Sequence, residues 1–404
     1  MEDNKSLGKK HPDSTATSDN HDGCSVVAEH TQEVPVNFGL LSLTGLGIII
    51  GVVWPASGGS IQVAIFNGGS PGVLYEFIVV SLFYFFVAAS LAELASAMPS
   101  SAGVYYWASI TPGRRYGRVI GFFAGWWNYL GWICAGASMA AIWSNSIIQI
   151  YALKHPDYIV KEVHVFAVFV ISTWLACFSV CYGGRAMPLL NQFGIYWLLI
   201  GLLITIVVLA AVPLRSGGEW PCDFVLLFLG GMLNGAYSVG CPAAVSHLAE
   251  EIPRPQRNVP LAMGLQVVTG FITGFSYLIA LMYSIHSYDR IFASQFPLAE
   301  IYLQATGSAE GTICLLILMQ TCIGLSIVGL YITCGRTLWA LSRDGATPWP
   351  SVFSNFSLRF DAPINATMAS AVLVTLMGCI YVASKTAFNA IIGSFDEEMS
   401  YMDR

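Results

Sequence analysis

Charge is what this sequence has least of. Only 10% of its 404 residues are charged, where an ordinary soluble domain carries about a quarter, and hydrophobic residues make up 55%. The 24 acidic and 18 basic residues give a net charge of -6 and sit in clumps between long uncharged intervals. A nucleic-acid binder needs a basic face, and none can be assembled from so few cations. Of ten cysteines, only Cys222 falls near the expected outer surface, so no disulfide framework is expected. No CxxC pair, Cys/His cluster, nucleophile elbow or phosphate loop stands in a plausible context, so neither an enzyme nor a bound cofactor is expected. The first 36 residues lack the apolar core of a cleavable signal peptide. They are polar and poor in aromatics, which predicts a disordered cytosolic tail over 1–36.

What the chain has instead is long apolar runs. A helix crosses the roughly 30 Å hydrocarbon core with about 20 apolar residues. Runs over 38–66, 72–97, 117–150, 164–182, 189–213, 223–247, 260–285, 310–342 and 363–383 meet that requirement and are continuous rather than alternating, which excludes barrel strands. The expectation is an all-α polytopic membrane protein occupying 37–395, with nine helices in a lipid bilayer. A tenth, starting at Thr386–Phe395, is cut off by the polar tail 396–404. Twelve Lys and Arg residues fall on the side of the N-terminus and five opposite, so the N-terminus is expected in the cytosol; the plasma membrane is the expected location ahead of a vacuolar or other internal one.

Two of these runs are interrupted. The first contains Gly45–Gly59, with Trp54-Pro55 in the middle. The sixth contains Gly230–Ala243, with Gly240-Cys241-Pro242. Proline removes an amide donor and clashes one turn back, and glycine holds a helix poorly. In hydrocarbon such backbone is tolerated only where it lines a protein-enclosed cavity. Interruptions at matching places five helices apart point to an inverted-repeat transporter with a midplane site; two proline kinks that merely pack remain the alternative. Free N–H groups after Pro55 suit a carboxylate, and carbonyls before each break suit an ammonium. Neither break contains a charged side chain. Trp54 and Tyr237 would cover the solute or, if it is quaternary, contribute cation–π contacts; ordinary aromatic packing is the other reading.

Several motifs then occur in order: the glycine-rich first break; Ser90-Leu91-Ala92-Glu93-Leu94 leading to Met98-Pro99-Ser100-Ser101-Ala102-Gly103-Val104-Tyr105-Tyr106-Trp107; Glu250-Glu251-Ile252-Pro253-Arg254-Pro255-Gln256-Arg257-Asn258-Val259-Pro260; and Arg336-Thr337-Leu338-Trp339-Ala340-Leu341-Ser342-Arg343-Asp344-Gly345-Ala346. Through them the chain resembles the amino acid–polyamine–organocation (APC) superfamily, in its fungal amino acid, GABA and choline permease branch. The resemblance implies a five-plus-five inverted-repeat, leucine-transporter-like fold with broken first and sixth helices. It implies about twelve helices, so the chain reads as C-terminally truncated, and a shortened product that senses nutrients or is inert is the alternative to a carrier. The implied activity is secondary active transport of amino acids or related small amines by alternating access, with choline or polyamine transport as the alternative. Carried over by position, substrate contacts fall on Val53, Trp54, Pro55, Ala56 and Ser57, and on Tyr237, Ser238, Val239, Gly240 and Cys241. Proton co-transport is implied by the resemblance alone, since 189–213 contains no Lys, Arg, His or acid.

Outside the breaks, Glu93 stands near the cytosolic end of the second helix, as a cap or as a gating carboxylate. His247, Glu250 and Glu251 follow the sixth helix and form either an inner gate with Arg254 and Arg257 or, through His247, a proton-coupling group. Arg336, Arg343 and Asp344 read first as dipole matching and a turn at the end of the eighth helix.

Overall fold

The computed structural model describes residues 39–66, 69–113, 115–155, 157–211, 232, 234–357, 359–384 and 386–391. The tails expected over 1–36 and 396–404, and 223–231 of the sixth span, lie outside the described residues.

Helices account for nearly all of it, and among the described residues the only β pairing is an isolated bridge between Ser357 and Ala362. In chain order the helices are α1 Leu40–Gly51, α2 Val53–Gly59, α3 Ile61–Phe66, α4 Gly69–Ala97, α5 Val104–Ile110, α6 Gly117–Lys154, α7 Glu162–Gly183 and α8 Met187–Ala210. A helical segment over 234–239, α9, leads to a 3₁₀ helix at Pro242–Glu251. Then follow α10 Pro255–Tyr283, α11 Tyr288–Ala293, α12 Pro297–Thr306, α13 Ala309–Arg343, α14 Pro350–Phe353 and α15 Ile364–Ala383. Seven described stretches are long and apolar enough to cross a membrane; one of them, Glu162–Ala210, contains both α7 and α8. At about 1.5 Å per residue, the 38 residues of α6 extend about 57 Å, well beyond a bilayer core, so its ends project past the hydrocarbon region.

The bundle is apolar on its outside as well as within. Tyr75, Phe83 and Phe86 of α4, Leu175 of α7, and Leu203 and Val207 of α8 all point outward and exposed. In water these would be a liability; against lipid tails they are the expected surface. Small and hydroxyl residues turn inward instead. Gly270 and Gly274 of α10 leave room for Val53, and Gly274 also for Phe77. Ser and Thr hydroxyls inside the helices mostly donate to the carbonyl one turn back, as Thr205, Thr337 and Ser370 do.

The first break is real but sits one turn earlier than the sequence suggests. Val53–Ser57 is wound as helix α2, and the chain unwinds at Val52 alone, whose φ of 34° and ψ of 41° are left-handed. The reason lies in Pro55. Its ring would collide with the carbonyl of the residue four back, Gly51, if α1 continued straight. The chain therefore swerves between Gly51 and Val53, after which Pro55 sits in the first turn of a new helix, where its missing N–H is tolerated. A β-branched residue in this conformation is strained. The surroundings impose it: Val52 is fully buried, its N–H bonded to Ile48 and its carbonyl to the N–H of Ala56.

The second break falls where expected. α9 ends at Val239, Gly240 and Cys241 are unwound, and Pro242 opens a ten-residue 3₁₀ run. Such runs rarely exceed four residues, and long ones mark hinges or strained sequence.

Candidate functional site

The two breaks meet. Ser57 of α2 donates to Ser238 of α9 at 2.7 Å, and Ser238 donates on to the carbonyl of Asn234 at 2.8 Å. One turn away Ser60 donates to the Asn234 side chain at 2.5 Å. From α10, Gln266 donates to the carbonyl of Cys241 at 2.9 Å, with its amide laid against Gly47 and Gly51; a Cβ at Gly47 would come within 2.6 Å of Gln266 Oε1. Ser326 of α13 donates to the carbonyl of Ile50. The hydroxyl pair makes a direct test. Ser57→Ala or Ser238→Ala removes the bond between them, while the remaining hydroxyl keeps the carbonyl one turn back, Asn234 for Ser238 and Val53 for Ser57. Each should therefore cost about 1 kcal/mol, and the double replacement less than the sum. Thermal unfolding of the four-member cycle in detergent reads this out.

Beside the junction lies a narrow cavity lined by Ile50 and Gly51 of the first break, Tyr84 of α4, Ala135 and Met139 of α6, Ala236, Tyr237, Gly240 and Cys241 of the second break, and Leu330 of α13. Its volume of about 20 Å³ admits a water molecule and no organic solute, so the bundle is closed around it. None of the ten lining side chains is charged. The phenol of Tyr237 is 2.7 Å from the hydroxyl of Ser138, which fixes the ring. Because Pro55 and Pro242 have no N–H, the carbonyls of Gly51 and Ser238 lose the donor that a continuous helix would supply.

The positions carried over from sequence divide. Tyr237, Gly240 and Cys241 line the cavity. Ser57, Ser238 and Val239 are buried at the junction beside it. Trp54 is fully buried; its indole N–H donates to the carbonyl of Leu198 at 3.2 Å and its ring lies 5.2 Å from that of Tyr277. Val53, Pro55 and Ala56 are buried in α2 and, like Trp54, are not among the lining residues. Lining positions that the sequence reading does not single out are Tyr84, Ala135, Met139 and Leu330. They come from other helices, and no local signal marks them.

Past the second break, His247, Glu250 and Glu251 gather with other groups into a closed ionic cluster. Arg336 grips Glu251 with two hydrogen bonds, Nε to Oε1 at 2.5 Å and an amino nitrogen to Oε2 at 2.9 Å, and the two side chains are 5% and 7% exposed. Arg343 grips Glu250 in the same way at 3.0 Å for each bond, and the Ser101 hydroxyl also donates to Glu250. Burial would push the Glu250 carboxyl up, but the hydrogen bonds from Arg343 and Ser101 outweigh it and hold it below the ordinary carboxylate range. A carboxylate so depressed keeps its pairing at neutral pH and loses it only as acid is added through that lowered value. His247 donates from Nδ1 to the carbonyl of Ser101 and accepts from Asn128 at Nε2. Tyr105 donates to Asp344, and the Arg343 guanidinium lies 4.7 Å over the Trp339 ring.

This corrects the sequence expectation in three respects. The partners of Glu250 and Glu251 come from α13, not from Arg254 and Arg257. Arg254 is exposed, with a left-handed φ of 50° at the start of α10. Arg336 and Arg343 are therefore more than dipole-matching residues, and Glu93 is exposed on α4 outside the cluster. Sequence neighbourhood favoured Arg254 and Arg257, whereas the packing of α13 against the 3₁₀ segment brings in side chains 85 and 93 positions away.

One residue that the sequence reading does not single out is Glu76, two turns into the apolar α4. It is 1% exposed, and neither carboxylate oxygen has a hydrogen-bond partner. A lone acid inside an apolar span was a readable signal; its isolation was not.

The model of the amino acid permease family matches residues 38–396. A choline transporter of Saccharomyces cerevisiae is 30% identical over 387 residues, 91% of this chain and 68% of that protein. A transmembrane transporter, swnT, of Metarhizium robertsii is 28% identical, covering 96% and 80%. A 7-keto 8-aminopelargonic acid transporter of the same yeast is 25% identical, covering 88% and 74%. Among solved structures, a mutant manganese transporter of Eremococcus coleocola aligns with a TM-score of 0.58 at 13% identity, over 90% of this chain and 76% of that one. MHP1, a nucleobase-cation-symport-1 family transporter, aligns with a TM-score of 0.51 at 14% identity, over 91% and 78%. At such identities the likeness shows the fold, the five-plus-five inverted repeat with interrupted first and sixth spans.

Proposed function

The chain belongs to the amino acid permease family, within the APC superfamily, and we propose that this multi-pass membrane permease carries a small organic amine, a quaternary ammonium such as choline ahead of a zwitterionic amino acid. The observation that supports this reading is the cavity between the breaks. It has no acidic or basic side chain, two tyrosines, and the carbonyl of Gly51 deprived of a helical donor. Ring faces and carbonyls attract a cation. A carboxylate needs N–H donors instead, and the residues expected to supply them, in the first turn of α2, are not among the lining residues. The yeast relative named as a choline transporter is consistent with this choice.

Transport would proceed by alternating access. The ionic cluster of Glu250, Glu251, Arg336 and Arg343 would be the gate on one side, and the excess of Lys and Arg in the loops on that side supports a cytosolic gate and a cytosolic N-terminus. The cavity must widen to admit a solute, and the unwound residues Val52, Gly240 and Cys241 are where the backbone can turn. Cells expressing the 404-residue chain should take up labelled choline saturably, with competition by other quaternary amines. Uptake of GABA or an amino acid with none of choline would overturn the cargo assignment.

A further inference from the structure

Glu76 takes no part in the junction, the cavity lining or the ionic cluster, yet burying an ionised carboxylate with no partner is among the most costly arrangements a membrane protein can hold. We propose that Glu76 is a proton-binding site of the transport cycle, whose loading allows the half of the pathway away from the ionic gate to close. This rests on the permease reading of the chain.

Position supports the assignment. Glu76, Val80 and Tyr84 follow one another at four-residue spacing on the buried face of α4. Tyr84 lines the cavity. Val80 abuts Gly235 of α9, where a Cβ would come within 3.2 Å of it. Glu76 therefore lies two turns, about 12 Å, beyond the cavity, on the face that seats against the segment leading into the second break. Gly72 makes room beside it; a Cβ there would stand 3.3 Å from Glu76 Oε1.

Among the described residues, no other charge neutralises it. Of the described elements that touch α4, α3 has no ionisable residue, and α11, which reaches it through the hydrogen bond of Tyr288 to Ser70, has Arg290 paired with Glu300 and Asp289 exposed. α10 has Arg257, Tyr277 and Tyr283. Arg257 is 17 residues, about 25 Å along the axis, from the Gly274 that meets Phe77. Tyr277 is hydrogen-bonded to Tyr302, and Tyr283 is exposed. In α9 Tyr237 is bonded to Ser138, and the 3₁₀ segment offers only the gate residues His247, Glu250 and Glu251. On α4 itself Tyr75 and Glu93 face outward. A metal ion would need several further ligands, whereas both oxygens of Glu76 lack any polar partner, and the described residues hold no metal-binding cluster. A proton needs none.

The step is simple. The ionised side chain keeps water beside it and holds α4 off α9. One proton taken from the side opposite the gate converts it to the neutral acid, which can be buried as the structure shows it. When the gate end opens and water reaches Glu76, the proton leaves there.

The test uses the purified full chain in proteoliposomes, labelled choline as probe, and a clamped membrane potential. For one proton per cycle, a one-unit pH gradient should drive up to about tenfold accumulation. Glu76→Gln should abolish that accumulation and leave an exchange that no longer varies with pH, and Glu76→Asp should restore part of the pH dependence. The infrared band of a protonated carboxylic acid should be present in the unmodified chain and absent from Glu76→Gln. Accumulation by Glu76→Gln with the original pH dependence, or an unaltered band, overturns the assignment. Failure of the unmodified chain to exchange choline strikes the cargo reading instead, and the infrared band then decides on Glu76.

Discussion

Arg336→Met is expected to loosen the gate more than any other single change. The replacement leaves Glu251 buried without its partner, and breaking a buried, doubly hydrogen-bonded pair from one side typically costs about 3–5 kcal/mol. That cost falls on the conformation in which the 3₁₀ segment is packed against α13, so the equilibrium should move toward opening by two or more powers of ten. Cys241 is a natural reporter, because it lines the cavity just beyond the gate. Its reaction with a membrane-impermeant thiol reagent, applied from the gate side and corrected with Cys241→Ser, should accelerate accordingly. Adding Glu251→Gln removes the stranded charge and should slow labelling again. Equal labelling in all three proteins would mean that the pair holds the fold together without controlling access.

Tyr237→Ala is expected to have the largest effect on cargo. A cation held against a desolvated aromatic face gains about 2 kcal/mol, so losing the ring should weaken choline binding about thirtyfold. Tyr237→Phe keeps the face and loses the bond to Ser138, worth about 1 kcal/mol, so a loss of about fivefold is expected. Equilibrium binding to purified protein separates the two. If Tyr237→Ala binds normally and Tyr84→Ala does not, the ammonium group sits against α4 instead of the second break.

Parts of this site could be read directly and others could not, for identifiable reasons. Pro55 and Pro242 announce interrupted helices, because the loss of a donor and the ring clash are properties of the residue itself. The exact residue that unwinds at the first break depends on where the clash lands, four positions before the proline, so Val52 gives way and Val53–Ser57 stays helical. Trp54 looked like a lid over the solute. In the folded chain its N–H is taken by Leu198 and its ring lies beside Tyr277, contacts between elements more than 140 residues apart. Glu250 and Glu251 were readable as a cluster, but their partners were not, since α13 reaches them only after folding.

Membrane residence, the inverted-repeat architecture and the two interruptions were determined by the sequence alone. They follow from the length of apolar runs and from the covalent chemistry of proline and glycine, which act wherever they occur. Which side chains face the cavity, which arginines pair with Glu250 and Glu251 and whether Glu76 has a partner were decided by tertiary structure. Those outcomes depend on distances between segments that lie far apart along the chain, and only packing sets such distances.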